Sequence, residues 1–118
     1  MDIRNEVQKM DALVSKGEMV VAINNYFCDK ASTLDYGKVS TNSKPQMIEK
    51  MNGFLGSIAN VNKIKHHNTL VDGTISASEF TFDFDRKDGS KILWHEIIKR
   101  EWSAEGKVTN ETYFNAAS

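Results

Sequence analysis

The chain has 118 residues, 40% of them hydrophobic and 26% charged, with a formal net charge of -1. That length suffices for one domain with a real core, and the balanced charge excludes the basic footprint of a nucleic-acid binder. No apolar run approaches a transmembrane helix, residues 1–6 lack the apolar centre of a signal peptide, and the single cysteine, Cys28, has no internal partner; together these predict a cytoplasmic protein.

Ile3, Val7, Met10 and Val14 recur at steps of four, three and four. That spacing predicts an amphipathic helix over about residues 2–15. Gly17 breaks the pattern, and a second helix carries Met19, Val20, Ile23, Tyr26 and Phe27 on its apolar side. With no long linker between them, the two are expected to form a bent pair over one surface. Residues 31–40 predict a short strand or extended loop, bent at Gly37. Ser43 then reads as an N-cap, with Gln46 three positions on completing a capping box. Pro45 falls in the first turn, where its missing N–H costs nothing. Met47, Ile48, Met51, Phe54, Leu55 and Ile58 give a third helical stripe.

After Asn60 the period changes to two. Residues 63–71 predict a strand, and Asp72-Gly73 a hairpin turn. Residues 74–85 alternate, with Phe80, Phe82 and Phe84 on one face and Glu79, Thr81 and Asp83 on the other. Lys87-Asp88-Gly89-Ser90 is the next turn. Two last strands, 91–102 and 107–114, flank Ser103-Ala104-Glu105-Gly106. Side chains alternate between the faces of a strand. Trp94, Glu96, Ile98, Arg100 and Trp102 therefore share one face, and His95, Ile97, Lys99 and Glu101 the other. A face of two indoles, an isoleucine, an acid and a base suits a lined pocket better than a plain core. Helices on one side of an antiparallel sheet define an α+β layer architecture. Strong curvature would make the sheet a cone, with three N-terminal helices over its mouth and the mixed face looking inward. Nothing divides the chain, so residues 1–118 are expected to be one domain.

The order and spacing of several short pieces carry a resemblance. These are Tyr26-Phe27-Cys28-Asp29-Lys30-Ala31 closing the second helix, the helix from Pro45 to Leu55, Val71-Asp72-Gly73, Asp88-Gly89, and Trp102 to Val108 ending in Glu-Gly-Lys-Val. In these the chain resembles the nuclear transport factor 2-like superfamily, in its SnoaL-like and ketosteroid-isomerase-like branch. The resemblance implies a cystatin-like α+β barrel, often a homodimer through the outer sheet face, among isomerases, cyclases and dehydratases that need no cofactor. It also implies that the base of ketosteroid isomerase falls on Asp35. The isomerase's protonated acid falls on Ile98, and its tyrosine near Asp11. Isoleucine cannot donate a hydrogen bond, so the oxyanion hole of that mechanism is not transferred. SnoaL-like cyclases use another acid–base set deep in the cone, for which Glu96 is the local candidate.

Each candidate also has a plainer reading. Asp35, beside Tyr36-Gly37, could simply organise a turn. Glu96 and Arg100, four apart on one face, either bind a polar ligand group or satisfy each other and neighbouring strands, since buried charges must be paired. Parity groups His66 with Ile64, Asn68 and Leu70, the more apolar set, so His66 rather than His67 is expected to face the pocket. His95 is expected at the surface or an interface, Cys28 as buried filler, and Glu111 paired across to the strand of Lys99. No Cys/His cluster suggests a metal. The phenylalanine stripe and the methionines are ordinarily core. Walls of Trp94, Ile98, Arg100, Trp102, Phe54, Phe82 and Tyr26 would nevertheless make a dry pocket for a small apolar molecule. The expected function is binding of such a molecule, with acid–base turnover of a carbonyl compound by Asp35, Glu96 and His66 if it is an enzyme. The alternatives are a non-catalytic ligand binder and a dimeric interaction module. No nucleic acid or membrane partner is expected.

Overall fold

A computed structural model describes residues 2–35 and 38–115. Helix α1 (Arg4–Ser15) buries Ile3, Val7, Met10 and Val14, the residues that predicted it. Gly17, at φ +79°, turns the chain into α2 (Met19–Tyr26). Strand β1 (Phe27–Asp35) starts directly after. Phe27 is extended, at φ -76° and ψ 138°, so it opens a strand instead of closing the helix. Its pairing with Val108, in a buried apolar layer, outweighs the local helical pattern. Cys28 likewise sits on β1, half-buried. Strand β2 (Lys38–Thr41) folds back on β1, with Asp35 opposite Lys38. The bend expected at Gly37 lies outside the described residues.

Helix α3 (Lys44–Gly56) begins at the expected cap: Ser43 Oγ accepts from the Gln46 N–H at 3.3 Å. Gln46 Oε1 reaches back to the N–H of Asn42 at 2.7 Å. Ile58 does not extend the helix but opens β3 (Ile58–Asp72), which starts five residues before the period-two pattern announces it. β3 turns at Gly73, φ +60°, into β4 (Ile75–Arg86), with Asp72 opposite Ile75. The two-residue turn is thus Gly73-Thr74, one position later than expected. β5 (Lys91–Trp102) and β6 (Val108–Asn115) complete the sheet.

The sheet has six strands in the order β2-β1-β6-β5-β4-β3. The expected antiparallel meander is found from β3 to β6. What sequence pattern did not show is that β1 lies beside β6 and parallel to it. The sheet is curved and unclosed. Three register shifts along β3, at Ile58/Asn60, Val61/Lys63 and His66/Asn68, bend that edge strand. The helices cover the inner face, where Phe80, Phe82, Phe84, Ile92, Ile98 and Trp102 pack against Val7, Met10, Ala22 and Ile23. The result is the α+β cone expected, with its inner face available for a site.

Candidate active site

Strand register decides what each side chain of β5 meets on the inner face. Arg100 lies opposite Ser76 on β4 and Glu111 on β6. Ile98 lies opposite Ser78 and Tyr113, and Glu96 opposite Phe80 and Asn115. One end of the strand face is therefore polar and closed, and the other is apolar on the β4 side.

At the closed end Arg100 is 1% exposed and sits between two carboxylates. Its Nη1 donates to Asp11 Oδ1 at 2.7 Å and its Nε to Glu111 Oε2 at 2.8 Å. The second Asp11 oxygen accepts from Thr69 Oγ1 and from Ser78 Oγ, each at 2.7 Å. The hydroxyl of Tyr113 donates to Glu111 Oε1. Asp11 and Glu111 are 1% and 4% exposed. Burial alone would lower the pKa of Arg100, but Glu111 and Asp11 outweigh it and hold the guanidinium above its ordinary value. Tyr113 is pushed well above the usual phenol range by burial and by the Glu111 charge, so it is no acid at neutral pH. The network joins α1, β3, β4, β5 and β6.

Beside it lies a cavity in two parts. An inner chamber of about 80 Å³ is lined by Met10, Ile23, Phe82, Ile98, Arg100 and Glu111, among others. An outer vestibule of about 340 Å³ is lined by Asp35, Met47, Lys50 and Asn115. Met51, Phe54, Trp94, Glu96 and Tyr113 belong to both and form the waist between them. Phe54 stacks on Trp94 at 5.6 Å.

Glu96 stands at that waist, partly buried. It makes no ion pair with Arg100, whose charge is taken by Asp11 and Glu111. Removal from water, then the negative charges of Glu111 and Asp35, push its carboxyl up to about 7, against a smaller opposing pull from Lys50.

The other candidates are distributed unevenly. Phe54, Phe82, Trp94, Ile98 and Arg100 line the inner chamber. Asp35 lies on the vestibule, its side chain 47% exposed and paired with Lys50 at 3.0 Å. Trp102 is buried, donates to Ser76 Oγ at 2.9 Å and meets Tyr26 edge-on at 6.1 Å; both lie outside the walls of either part. His66 also lies outside them, exposed at the sheet edge. It stacks on Phe80 at 4.9 Å, with Nε2 2.5 Å from Thr69 Oγ1. Ile64 keeps the inner side expected of it, and the register shift at His66/Asn68 is the physical reason that parity misplaces Asn68 and Leu70. Beyond it Asn68 turns to the outer face and Glu79, while Thr69 faces inward to Asp11. His67 and His95 stack at 5.4 Å, with His95 2.5 Å from Glu79 and His67 2.7 Å from Thr81, all on the outer face.

Sequence reasoning missed Asp11 and Tyr113 as site residues and gave Glu111 only a generic partner. Asp11 had a signal: it occupies the buried helical stripe between Val7 and Val14, where an acid needs a partner. Among the described residues, no group of His, Cys, Asp and Glu is arranged to hold a metal.

No protein-family model matches the sequence, and no curated protein matches it. Solved structures do. A candidate SnoaL-like polyketide cyclase from Mesorhizobium loti is 21% identical, with a TM-score of 0.85 over 97% of this chain and 99% of that one. A nuclear transport factor 2-like protein of unknown function from Burkholderia pseudomallei is 10% identical, at 0.78 over 98% and 92%. A protein from Catenulispora acidiphila with a ketosteroid isomerase-like fold, in complex with trimethylamine, is 13% identical, at 0.75 over 94% and 85%. The chain has the nuclear transport factor 2-like fold, in the form shared by SnoaL-like and ketosteroid-isomerase-like proteins.

Arg100→Met leaves Asp11 and Glu111 buried without their cation. It is expected to destabilise the protein by about 3–5 kcal/mol, read from urea unfolding; a loss below about 1 kcal/mol would show the triad to be dispensable. Glu96→Gln tests the raised carboxyl without any substrate. A folded-state pKa above the ordinary 4.5 means that the native protein binds the proton more tightly than the unfolded chain. The native advantage is full below about pH 4.5 and is lost as pH rises through about 7. Relative to wild type, the glutamine variant should therefore gain stability between those limits, reaching on the order of 2 kcal/mol above pH 8. A pH-independent difference in unfolding free energy would refute the shift.

Proposed function

We propose that the cone binds a small, largely apolar carbonyl compound and that Glu96 moves a proton on it, in cofactor-independent isomerisation, cyclisation or dehydration. The observation that carries this reading is Glu96 itself: a carboxyl at the waist of an apolar cavity, outside the ion pairs of the described residues and pushed up to about 7 by its burial there. A general acid–base group works best when its pKa lies near the working pH, since both protonation states are then available. The carboxylate would take a proton from the carbon alpha to the carbonyl, leaving the electron pair delocalised onto oxygen. The carboxylic acid so formed would return the proton at a second position.

The surroundings restrict the substrate. The charge of Arg100 is already met by two carboxylates, and the Tyr113 hydroxyl already donates its hydrogen bond to Glu111. An enolate would find little of the preorganised donation that such sites ordinarily use. Compounds with an acidified carbon, flanked by two carbonyls, need less of it. The cyclase designation of the Mesorhizobium protein is in keeping with that class, although at 21% identity the likeness speaks for the fold. Asp35 would act through its charge, as one cause of the raised Glu96, while His66 lies too far out to share the step.

The same commitments of Arg100 and Tyr113 favour a second reading, ligand binding without turnover. In either case a second copy of the chain is the proposed partner, through the outer sheet face, where Leu70, Leu93 and Phe114 are exposed. No helix among the described residues is long and apolar enough to cross a membrane.

Turnover is tested by solvent deuterium exchange into a neutral 2-alkyl-3-keto ester, whose carbon between two carbonyls stays protonated at neutral pH, followed by NMR. Wild type should accelerate exchange with a rate that rises through about pH 7, and Glu96→Gln should lose at least a hundredfold; equal rates for the two proteins would favour binding alone. Light scattering at micromolar concentration should give the mass of two chains, and a monomer would overturn the dimer.

A further inference from the structure

The charges around the inner chamber do not cancel. Arg100 carries one positive charge between the carboxylates of Asp11 and Glu111, at 2.7 Å and 2.8 Å. Two carboxylates facing one guanidinium leave the triad anionic as a unit, and all three groups are more than nine-tenths buried. On the vestibule the Lys50 ammonium is balanced by Asp35 at 3.0 Å. Glu96, between the two groups, adds a second negative charge whenever it ionises. The chamber therefore presents an excess of negative charge in a poorly solvated space, where an uncompensated ion is costly. An anionic ligand would raise that cost; a cationic one would lower it.

The remaining wall selects the kind of cation. Phe54, Phe82, Phe84 and Trp94 surround the chamber, with Phe54 stacked on Trp94 at 5.6 Å and tilted on Phe84 at 5.9 Å. Ring faces attract a cation but supply few acceptors for several N–H groups. They suit a nitrogen whose substituents are methyl groups better than a primary ammonium. About 80 Å³ holds a head group of a few heavy atoms, and the vestibule of about 340 Å³ receives what is attached to it.

Granting the reading of this cavity as a ligand site, we infer that its ligand carries a small tertiary or quaternary ammonium group, seated in the inner chamber against Glu96 and the aromatic wall. The charged and titratable groups around Glu96 are Asp35 from β1, Lys50 from α3, Arg100 on its own strand, and Glu111 and Tyr113 from β6. Asp11 stands behind Arg100 from α1, with His66 of β3 3.7 Å from it. α2 and β4 turn only apolar side chains into the chamber. Glu96, pushed up to about 7 on the chamber wall, gains its charge as pH rises through that value, so the preference for a cation should strengthen over the same range.

Three soluble compounds of one shape separate charge from size: choline, its neutral carbon isostere 3,3-dimethylbutan-1-ol, and the anion 3,3-dimethylbutanoate. They are titrated into the full chain at pH 8 and followed by NMR. Choline should bind at least tenfold more tightly than the alcohol, and the carboxylate more weakly than either. The ratio of choline to alcohol should fall at least fivefold in Glu96→Gln and, in wild type, at pH 5.5. Equal binding of choline and the alcohol, tighter binding of the carboxylate, or no binding of choline would overturn the inference. Keto ester exchange that depends on Glu96, without any preference for choline, would overturn this inference alone. A choline preference without exchange would support it while removing the proton-transfer step.

Discussion

The triad of Asp11, Arg100 and Glu111 is the constraint on which the inner face depends. A buried guanidinium must be paired, and here the partners come from the first helix and the last strand. Ser78 and Thr69 add hydroxyls from two further strands. One network thus ties α1 to four strands, at the depth where the helices meet the sheet. Such a network is weak evidence for net stability, because desolvation offsets most of its Coulombic gain. Its stronger consequence is geometric: these elements cannot slide without stranding a charge.

That geometry also separates the fates of two charged residues on one strand face. Arg100 and Glu96 are four residues apart, yet Arg100 meets a serine and an acid across its neighbouring strands, while Glu96 meets Phe80 on one side. Among the described residues, the triad absorbs the only cation on the chamber wall. Glu96 is left to an apolar waist and takes a raised pKa as a result. The raised Glu96 carboxyl is therefore a by-product of how the buried arginine is satisfied.

Much of this could be read from residue order. The parity of β5 placed Trp94, Glu96, Ile98 and Arg100 on one wall, and period changes located the three helices and the long hairpin strands. The cap at Ser43 was legible because its chemistry is local. Three things were not legible, for different reasons. The parallel partnership of β1 and β6 joins distant segments that carry no local signal for each other. The bulges of β3 invert parity within a strand, which is how His66 lost the company expected of it. Asp11 was visible as an acid in an apolar stripe, but only the fold shows that Arg100, 89 residues on, is what answers it.

The placement of β1 between β2 and β6 has a consequence for assembly. β1 ends at Asp35, whereas its parallel neighbour spans Val108–Asn115. During synthesis from the N-terminus, the first strand has only the short β2 beside it until Val108–Asn115 has emerged. Asp11 likewise waits for Arg100. The β3–β4 hairpin can form early from neighbouring residues, but the central seam of the sheet cannot. Long-range pairings of this kind fold slowly and leave strand edges open meanwhile. The cone is therefore completed last at its centre, and the chamber comes into being only when the final strand docks.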